Sequence, residues 1–402
     1  MNKNSFKEAI KETDFLLYIV CILTSAFGVL MVMSATKNSA EKQELTISRE
    51  CLIMIFAAAI GIIACFIISL LDYNSFVRIW PVVAAVCLLL VLALFIWGEA
   101  PADRPDAKCW LPILKIGSTT VNFQPSELAK VGFLITFAFH INKVRRDINK
   151  IKNVALLVLH ALVPIGLIIL TDDLGSAIVF GLMMVGMLSA AGLKWWYFAM
   201  ALAAFAAAAP LVWTKFLSGF HRQRVLAIYY PSALSETVYK NVIYQQQRCV
   251  NAIGSGGLTG DGLFKGTYTQ SAAGVPVNES DMVFSVVGEE LGFIGAIGLL
   301  AVMAFIAVRI AATGKRSLNL TGSLICYGTA FMIAGQTILN IGMCLKLLPC
   351  IGITLPFVSA GGSSCLCVYL AIGMCMSVYR FNKSKEINSL SLMNITTPFV
   401  EV

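Results

Sequence analysis

Apolar runs of membrane-crossing length alternate along this chain with polar segments that are mostly short. A helix needs roughly 20 predominantly apolar residues to cross the hydrocarbon core. Such runs recur near 15–34, 51–71, 80–97, 123–141, 154–170, 174–191, 195–213, 282–310, 320–343 and 361–379. The pattern predicts an all-α polytopic membrane protein of about ten transmembrane helices, because only helices satisfy every backbone group within a single spanning segment. One long extracytoplasmic loop, 214–281, separates the seventh and eighth spans, and the residues after 380 read as a tail. The chain reads as a single integral-membrane domain, 1–402. Its first run is too long for a signal-peptide core and lacks a small-residue cleavage site, so it is expected to be retained.

Charge gives the orientation independently, since short cytoplasmic loops carry an excess of Lys and Arg. Lys3, Lys7 and Lys11 put the amino terminus inside. The alternate segments that follow are all basic: Arg78; Lys143, Arg145, Arg146, Lys150 and Lys152; Lys194; Arg309, Lys315 and Arg316; Arg380, Lys383 and Lys385. The intervening segments 37–50 and 99–115 mix signs, and Asp172 with Asp173 has no base beside it. The expectation is a multi-pass protein of the bacterial cytoplasmic membrane with both termini in the cytoplasm and the 380–402 tail inside. With 58% hydrophobic and 13% charged residues, the net charge of +8 reflects this anchoring and calls for no nucleic acid.

The 12 cysteines do not change the picture. Most, such as Cys21, Cys65, Cys87, Cys326, Cys367 and Cys375, sit within apolar runs and behave as small apolar side chains. Cys109, Cys249 and Cys350 are extracytoplasmic on this topology, and no pair has zinc-ligand spacing. His140, His160 and His221 are scattered, which argues against a histidine metal site.

Charged side chains inside a membrane are expensive, so each is a candidate for function. Here they gather toward the outer side. Gln124, Glu127 and Lys130 open the fourth span, Asp173 marks the junction of the fifth and sixth, Asp281 opens the eighth with Glu289 and Glu290 deeper in it, and Ser359, Gly361, Gly362, Ser363 and Ser364 lead into the tenth. Glu127 and Lys130 are neighbours on one helix face, fit either for a structural ion pair or for a ligand. In the long loop, 239–253 is amphipathic and the glycine-rich run 254–266 follows, suited either to a phosphate or to a tight re-entrant turn. Lys215, Arg222, Arg224, Lys240, Arg248 and Lys265 outnumber the acids there, which favours a pyrophosphate leaving group. No glycine-rich, lysine-ending nucleotide motif occurs, so an activated substrate should arrive in the membrane already, as a lipid-linked pyrophosphate sugar.

Several segments match a known family in order: FQPSELAK at 123–130, DLGSA at 173–177, AIGSGG at 252–257, ESDMVFSVVGEELGFIG at 279–295 and LPFVSAGGSS at 355–364. From the first span to the tenth the chain resembles the SEDS family, of the RodA and FtsW type, which serves cell shape, division and sporulation. The resemblance implies a peptidoglycan glycosyltransferase that polymerises lipid II on the outer membrane face beside a class B penicillin-binding protein. It assigns the catalytic aspartate to Asp281, the fourth-span pair to Glu127 and Lys130, and the membrane-edge aspartate to Asp173. This sequence departs from the family at Glu279-Ser280-Asp281 for His-Thr-Asp, Thr171-Asp172 for Gln-Pro, Asp261 for a base and Ala360 for tyrosine.

The bond to be made sets the expected mechanism. A sugar hydroxyl attacks an anomeric carbon bearing the lipid pyrophosphate, one displacement inverts it, and Asp281 alone suffices as general base. Substrate contacts are expected from Glu127, Lys130, Asp173, Arg224, Lys265, Glu289, Glu290 and the 359–364 segment, with no cofactor required unless a divalent cation, Mg or Mn, sits at the pyrophosphate. Asp281 is also suited to a plain helix N-cap. A lipid-precursor flippase or transporter and a non-catalytic scaffold are the rival readings; a transporter would place its polar groups nearer the midplane.

Overall fold

The computed structural model describes residues 12–42, 47–100, 107–116, 119–217, 219–271 and 274–396. Lys3, Lys7 and Lys11 of the charge pattern, and the tail beyond Thr396, lie outside the described residues. In chain order the helices are α1 (Phe15–Lys42), α2 (Arg49–Leu70), α3 (Tyr73–Arg78), α4 (Trp80–Trp97), α5 (Pro125–Val144), α6 (Ile151–Leu170), α7 (Leu174–Ala190), α8 (Trp195–Leu211), α9 (Gly219–Tyr229), α10 (Glu236–Ser255), α11 (Val283–Lys315), α12 (Leu320–Cys344) and α13 (Gly362–Thr396). All ten apolar runs become helices. Eight are long and apolar enough to cross a membrane; α7 is a shorter apolar helix, and α5 carries its charged pair in the first two turns.

Local chemistry sets several boundaries. The Ser48 hydroxyl accepts from the Cys51 amide at 3.2 Å and caps α2. Pro125 stands in the first turn of α5, where a missing amide proton costs nothing. The bundle forms around α12 and α13, in whose most apolar stretches 72% and 78% of residues are buried, against 6% in α8. α13 lies along α2, and a Cβ at Gly373 would come within 2.9 Å of the Cys65 carbonyl oxygen, so the small residue lets the two backbones meet. α8 instead faces outward along almost its whole length. An apolar cavity of about 410 Å³ opens between α4, α5 and α6, with Cys87, Gly132, Phe133 and His160 in its wall.

The segment after α4 contains an element absent from the hydropathy reading. β1 (Leu111–Ile116) pairs antiparallel with β2 (Thr119–Phe123), Leu111 opposite Phe123, with an irregularity between Pro112 and Leu114. Glu99 and Trp110 extend the ladder by a bridge. The β-branched Thr120 and Val121 favour this pairing, but a two-stranded ribbon is too short to register as a periodic pattern.

The long loop is folded. α8 ends in a single π turn, Val212–Phe216, then α9 and α10 follow. α10 matches the amphipathic stretch and buries Ile243, Gln246, Cys249 and Ala252 on one face. Its Gln246 amide donates to the Met343 and Leu348 carbonyls, both at 2.8 Å, which ties α10 to the end of α12.

The glycine-rich run after α10 repairs a broken helix. α11 consists of two helical pieces joined at Gly292, whose φ of 65° and ψ of −164° are not helical. Such a break orphans carbonyls before it and amides after it. The loop supplies both partners: the Asp261 and Gly262 amides donate to the Glu289 and Glu290 carbonyls, each at 3.0 Å, while the Phe293 and Ile294 amides donate to Gly257 and Leu258 at 2.9 and 3.2 Å. Gly260 has φ +79°, and a Cβ there would fall 2.2 Å from the Glu290 carbonyl oxygen. The run is therefore a close backbone contact with α11.

Candidate functional site

A polar cavity of about 410 Å³ lies where the starts of α5, α7 and α13 meet the connections that lead into them and into α11. Among the sequence candidates it brings together Asp281, Asp173, Arg224, Gly361 and Ser364. Glu99, Trp110 and Asn122 of the hairpin region, Asp172, and Gln245 of α10 complete much of the wall.

Asp281 is held by its backbone. The Asn340 side chain of α12 donates to its carbonyl oxygen at 2.8 Å and to that of Ile353 at 2.7 Å. Two neighbours are tied to the 355–360 turn: the Ser359 hydroxyl donates to the Ser280 carbonyl at 2.6 Å, and the Ala360 amide donates to Glu279 at 2.8 Å. The N-cap of α11 is Met282, and no side chain caps that helix. The N-cap position of that helix thus falls one residue past Asp281.

Asp173 does cap. Its Oδ1 accepts from the Ser176 amide at 3.0 Å at the start of α7, and its Oδ2 accepts from Gln124 Nε2 and the Ser126 hydroxyl, both at 2.8 Å. One carboxylate joins α5 to α7 at the cavity edge. Glu127 and Lys130 lie just beneath, 4% and 1% exposed, with Nζ 2.7 Å from Oε1. They line a smaller cavity of about 20 Å³ that shares Gln124, Gly352 and Thr354 with the large one.

Arg224 of α9 donates from Nη1 to the Cys350 carbonyl at 2.6 Å and stacks over Phe220 at 4.2 Å. Beside it, Asp172 takes the left-handed conformation, φ 63°, with Oδ1 3.5 Å from Nδ1 of the buried His221. Burial pushes the Glu279 carboxyl above its ordinary value of 4.5, and the Glu50 charge adds to the rise.

Other candidates lie elsewhere. Glu289 and Glu290 are fully buried but do not line the cavity. Glu289 accepts from the Tyr268 and Thr269 amides at 2.6 and 2.8 Å and from the Thr267 hydroxyl at 3.3 Å. Glu290 accepts from the Ser34 hydroxyl, from the Phe264 amide at 3.1 Å and from Gln270 at 3.3 Å. Most of these donors belong to the loop, and neither carboxylate reaches the cavity wall, so the fold does not bring the two acids to Asp281. Lys265 is exposed outside the cavity wall. Ser363 accepts from the Gln124 amide at 3.1 Å and Gly362 opens α13, so these two join elements behind the wall.

Sequence reasoning missed Asn340 and Gln336, although two amides one turn apart in an apolar span are the signal it used elsewhere. It also treated the histidines as scattered. His140 and His160 in fact meet, Nδ1 to Nδ1 at 3.0 Å, so one of the two rings must donate.

The comparisons agree with this architecture. The family of FtsW, RodA and SpoVE cell cycle proteins matches residues 14–384. Peptidoglycan glycosyltransferase MrdB of Escherichia coli strain K12 is 27% identical over 384 residues, 95% of this chain and 97% of its own length. A probable peptidoglycan glycosyltransferase FtsW of Thiomicrospira cyclica is 29% identical over 389 residues, 93% of this chain and 94% of its own. A chain from a structure described as the coordination of polymerization and crosslinking by a peptidoglycan synthase complex superposes with a TM-score of 0.75, at 26% identity over 92% of this chain and 98% of that one. The rod shape determining protein RodA of Thermus thermophilus, 24% identical over 92% of this chain and 97% of its own, shares the fold with a TM-score of 0.65. The chain belongs to the FtsW/RodA/SpoVE family and is a peptidoglycan glycosyltransferase.

Proposed function

We propose that this enzyme polymerises lipid II into glycan strands on the outer face of the cytoplasmic membrane, by inverting transfer with Asp281 as the general base. The observation that carries the reading is the placing of Asp281 and Arg224 in one polar cavity of about 410 Å³. A carboxylate there can take the proton from the acceptor's sugar hydroxyl as that oxygen attacks the anomeric carbon. The bond to the lipid pyrophosphate breaks on the opposite side, and Arg224 is the cavity's guanidinium for the charge that departs. Asp173 fixes the α5–α7 edge rather than reacting, since its two oxygens already accept three hydrogen bonds. The apolar cavity between α4, α5 and α6 offers hydrocarbon a lodging for the lipid tail.

The basic alternation of the sequence supports this orientation, with both termini cytoplasmic and the 214–281 segment outside. A divalent cation, Mg or Mn, fits the donor set as a partner of the substrate. Hard cations of this kind are held by one or two carboxylates plus phosphate oxygens. Asp172 in the cavity wall would supply a carboxylate, and the ion would neutralise charge on the leaving pyrophosphate. The class B penicillin-binding protein is the proposed partner, in keeping with the match to a chain of a peptidoglycan synthase complex that couples polymerization and crosslinking.

The test is Asp281→Asn, purified in lipid nanodiscs and supplied with lipid II. Losing a general base removes about 10²–10⁴-fold in rate. The variant should still insert and bind lipid II while forming almost no polymer. Polymerisation within a few-fold of the parent would remove Asp281 from the chemistry.

A further inference from the structure

The small cavity beneath the catalytic one has chemistry of its own. It measures about 20 Å³, and Glu127, Lys130, Ser176, Gln336, Gly352 and Thr354 line it. Gly352 and Thr354 line the Asp281 cavity too, so the 352–354 segment is a wall between the two. Lys130 is 1% exposed and uses one of its three N–H donors on Glu127. Gln336 is also 1% exposed, and its Oε1 accepts no hydrogen bond from the protein. A buried amide oxygen without a donor is costly, and here it faces the same cavity as an ammonium with protons to spare.

The volume and the donors restrict what can fill this space. A cavity of about one probe sphere with two to four polar partners takes a single water. A phosphate group is too large, and the Lys130 ammonium repels a metal ion. The position matters because of Asn340, one helical turn beyond Gln336 on α12. Asn340 pins both the Asp281 and the Ile353 carbonyls. One face of α12 therefore holds the wall and the catalytic residue through Asn340, and meets the far side of that wall through Gln336.

We propose that the small cavity is a one-water site, in which the water accepts from Lys130 and donates to Gln336 Oε1, and that Gln336 is thereby a positioning residue for the reaction. The water ties α12 to α5 beneath the 352–354 wall and keeps that wall, with Asp281 registered on it, at a fixed height. The kinetic consequence rests on Asp281 being the base; the water site does not.

Two measurements on the full chain in lipid nanodiscs test this. A density map at about 2 Å resolution or better should contain a single peak within hydrogen-bond reach of both Lys130 Nζ and Gln336 Oε1. Gln336→Met keeps the bulk and removes the acceptor, so kcat for lipid II polymerisation should fall about ten- to a hundredfold. KM should stay within about twofold, because the substrate contacts lie on the other side of the wall. Combined with Lys130→Met, the loss should not exceed the larger single loss, as expected of two residues acting through one unit. A cavity without a peak, a parental kcat in Gln336→Met, or losses that multiply would each overturn the proposal. If either variant fails to fold, the map of the parent protein decides. A normal rate in Asp281→Asn would sink the general base while leaving the density peak standing, so the two failures are distinguishable.

Discussion

Glu289 and Glu290 are fully buried in α11, while Asp281, only a few residues earlier, lines the polar cavity. All three are acids near the start of one apolar segment, and hydropathy treats them alike. Hydrogen-bond accounting separates them. Glu289 and Glu290 accept from backbone amides of 264–269 and from Ser34, Thr267 and Gln270, and so hold the loop against α11 and α1. Asp281 is fixed through its main chain, by Asn340 on its own carbonyl and by ties on Glu279 and Ser280, in a segment whose helix cap is another residue. A buried acid whose acceptors are consumed by loop amides is structural. Asp281, its backbone clamped at the cavity wall, is the acid proposed above for the chemistry.

The largest stability effect should come from the pair under the floor. Lys130→Met leaves Glu127 buried without its cation, and breaking a buried pair costs about 3–5 kcal/mol. Thermal unfolding in detergent should show it, and a melting temperature equal to the parent's would take the pair out of the fold's support. A smaller loss is expected from Glu289→Gln. The amide retains one acceptor oxygen where the carboxylate used two, so about 1–3 kcal/mol should go. Faster proteolysis within 256–271 would report the loosened loop, and unchanged protection would mean the carboxylate does not hold it.

The smallest effect concerns Glu279, whose carboxyl burial pushes above 4.5. Below that value both folded and unfolded chains are protonated and burial adds no penalty. As pH rises through the window, the unfolded chain ionises first and binds fewer protons than the folded one, so stability falls until the folded carboxyl ionises too. Glu279→Gln should flatten this slope between the two values. An identical pH dependence of unfolding in the variant would show that Glu279 does not carry it.

Much of this architecture was legible in the sequence, because membrane crossing imposes a simple period. Each of the ten apolar runs is a helix, and the amphipathic 239–253 stretch lies within α10. Asp281 and Asp173 were placed at the outer end by topology and do line one cavity. What hydropathy does not encode is the partner of each polar group. The break at Gly292 could not be seen because its satisfied backbone depends on a loop about thirty residues earlier in the chain. The same holds for Asp173, read as a membrane-edge acid and found to be the N-cap that joins α5 to α7. The β1–β2 ribbon escaped because its strands are short and only one bridge, Glu99 to Trp110, extends it.

The most direct test of this division among the acids sets Asp281→Asn beside Glu289→Gln in one lipid II polymerisation assay, with rates expressed per folded molecule. Asp281→Asn should lose about 10²–10⁴-fold in rate at a parental melting temperature. Glu289→Gln should keep a near-parental rate at a lowered one. Equal losses of rate in the two variants, or a near-parental rate in Asp281→Asn, would contradict that division.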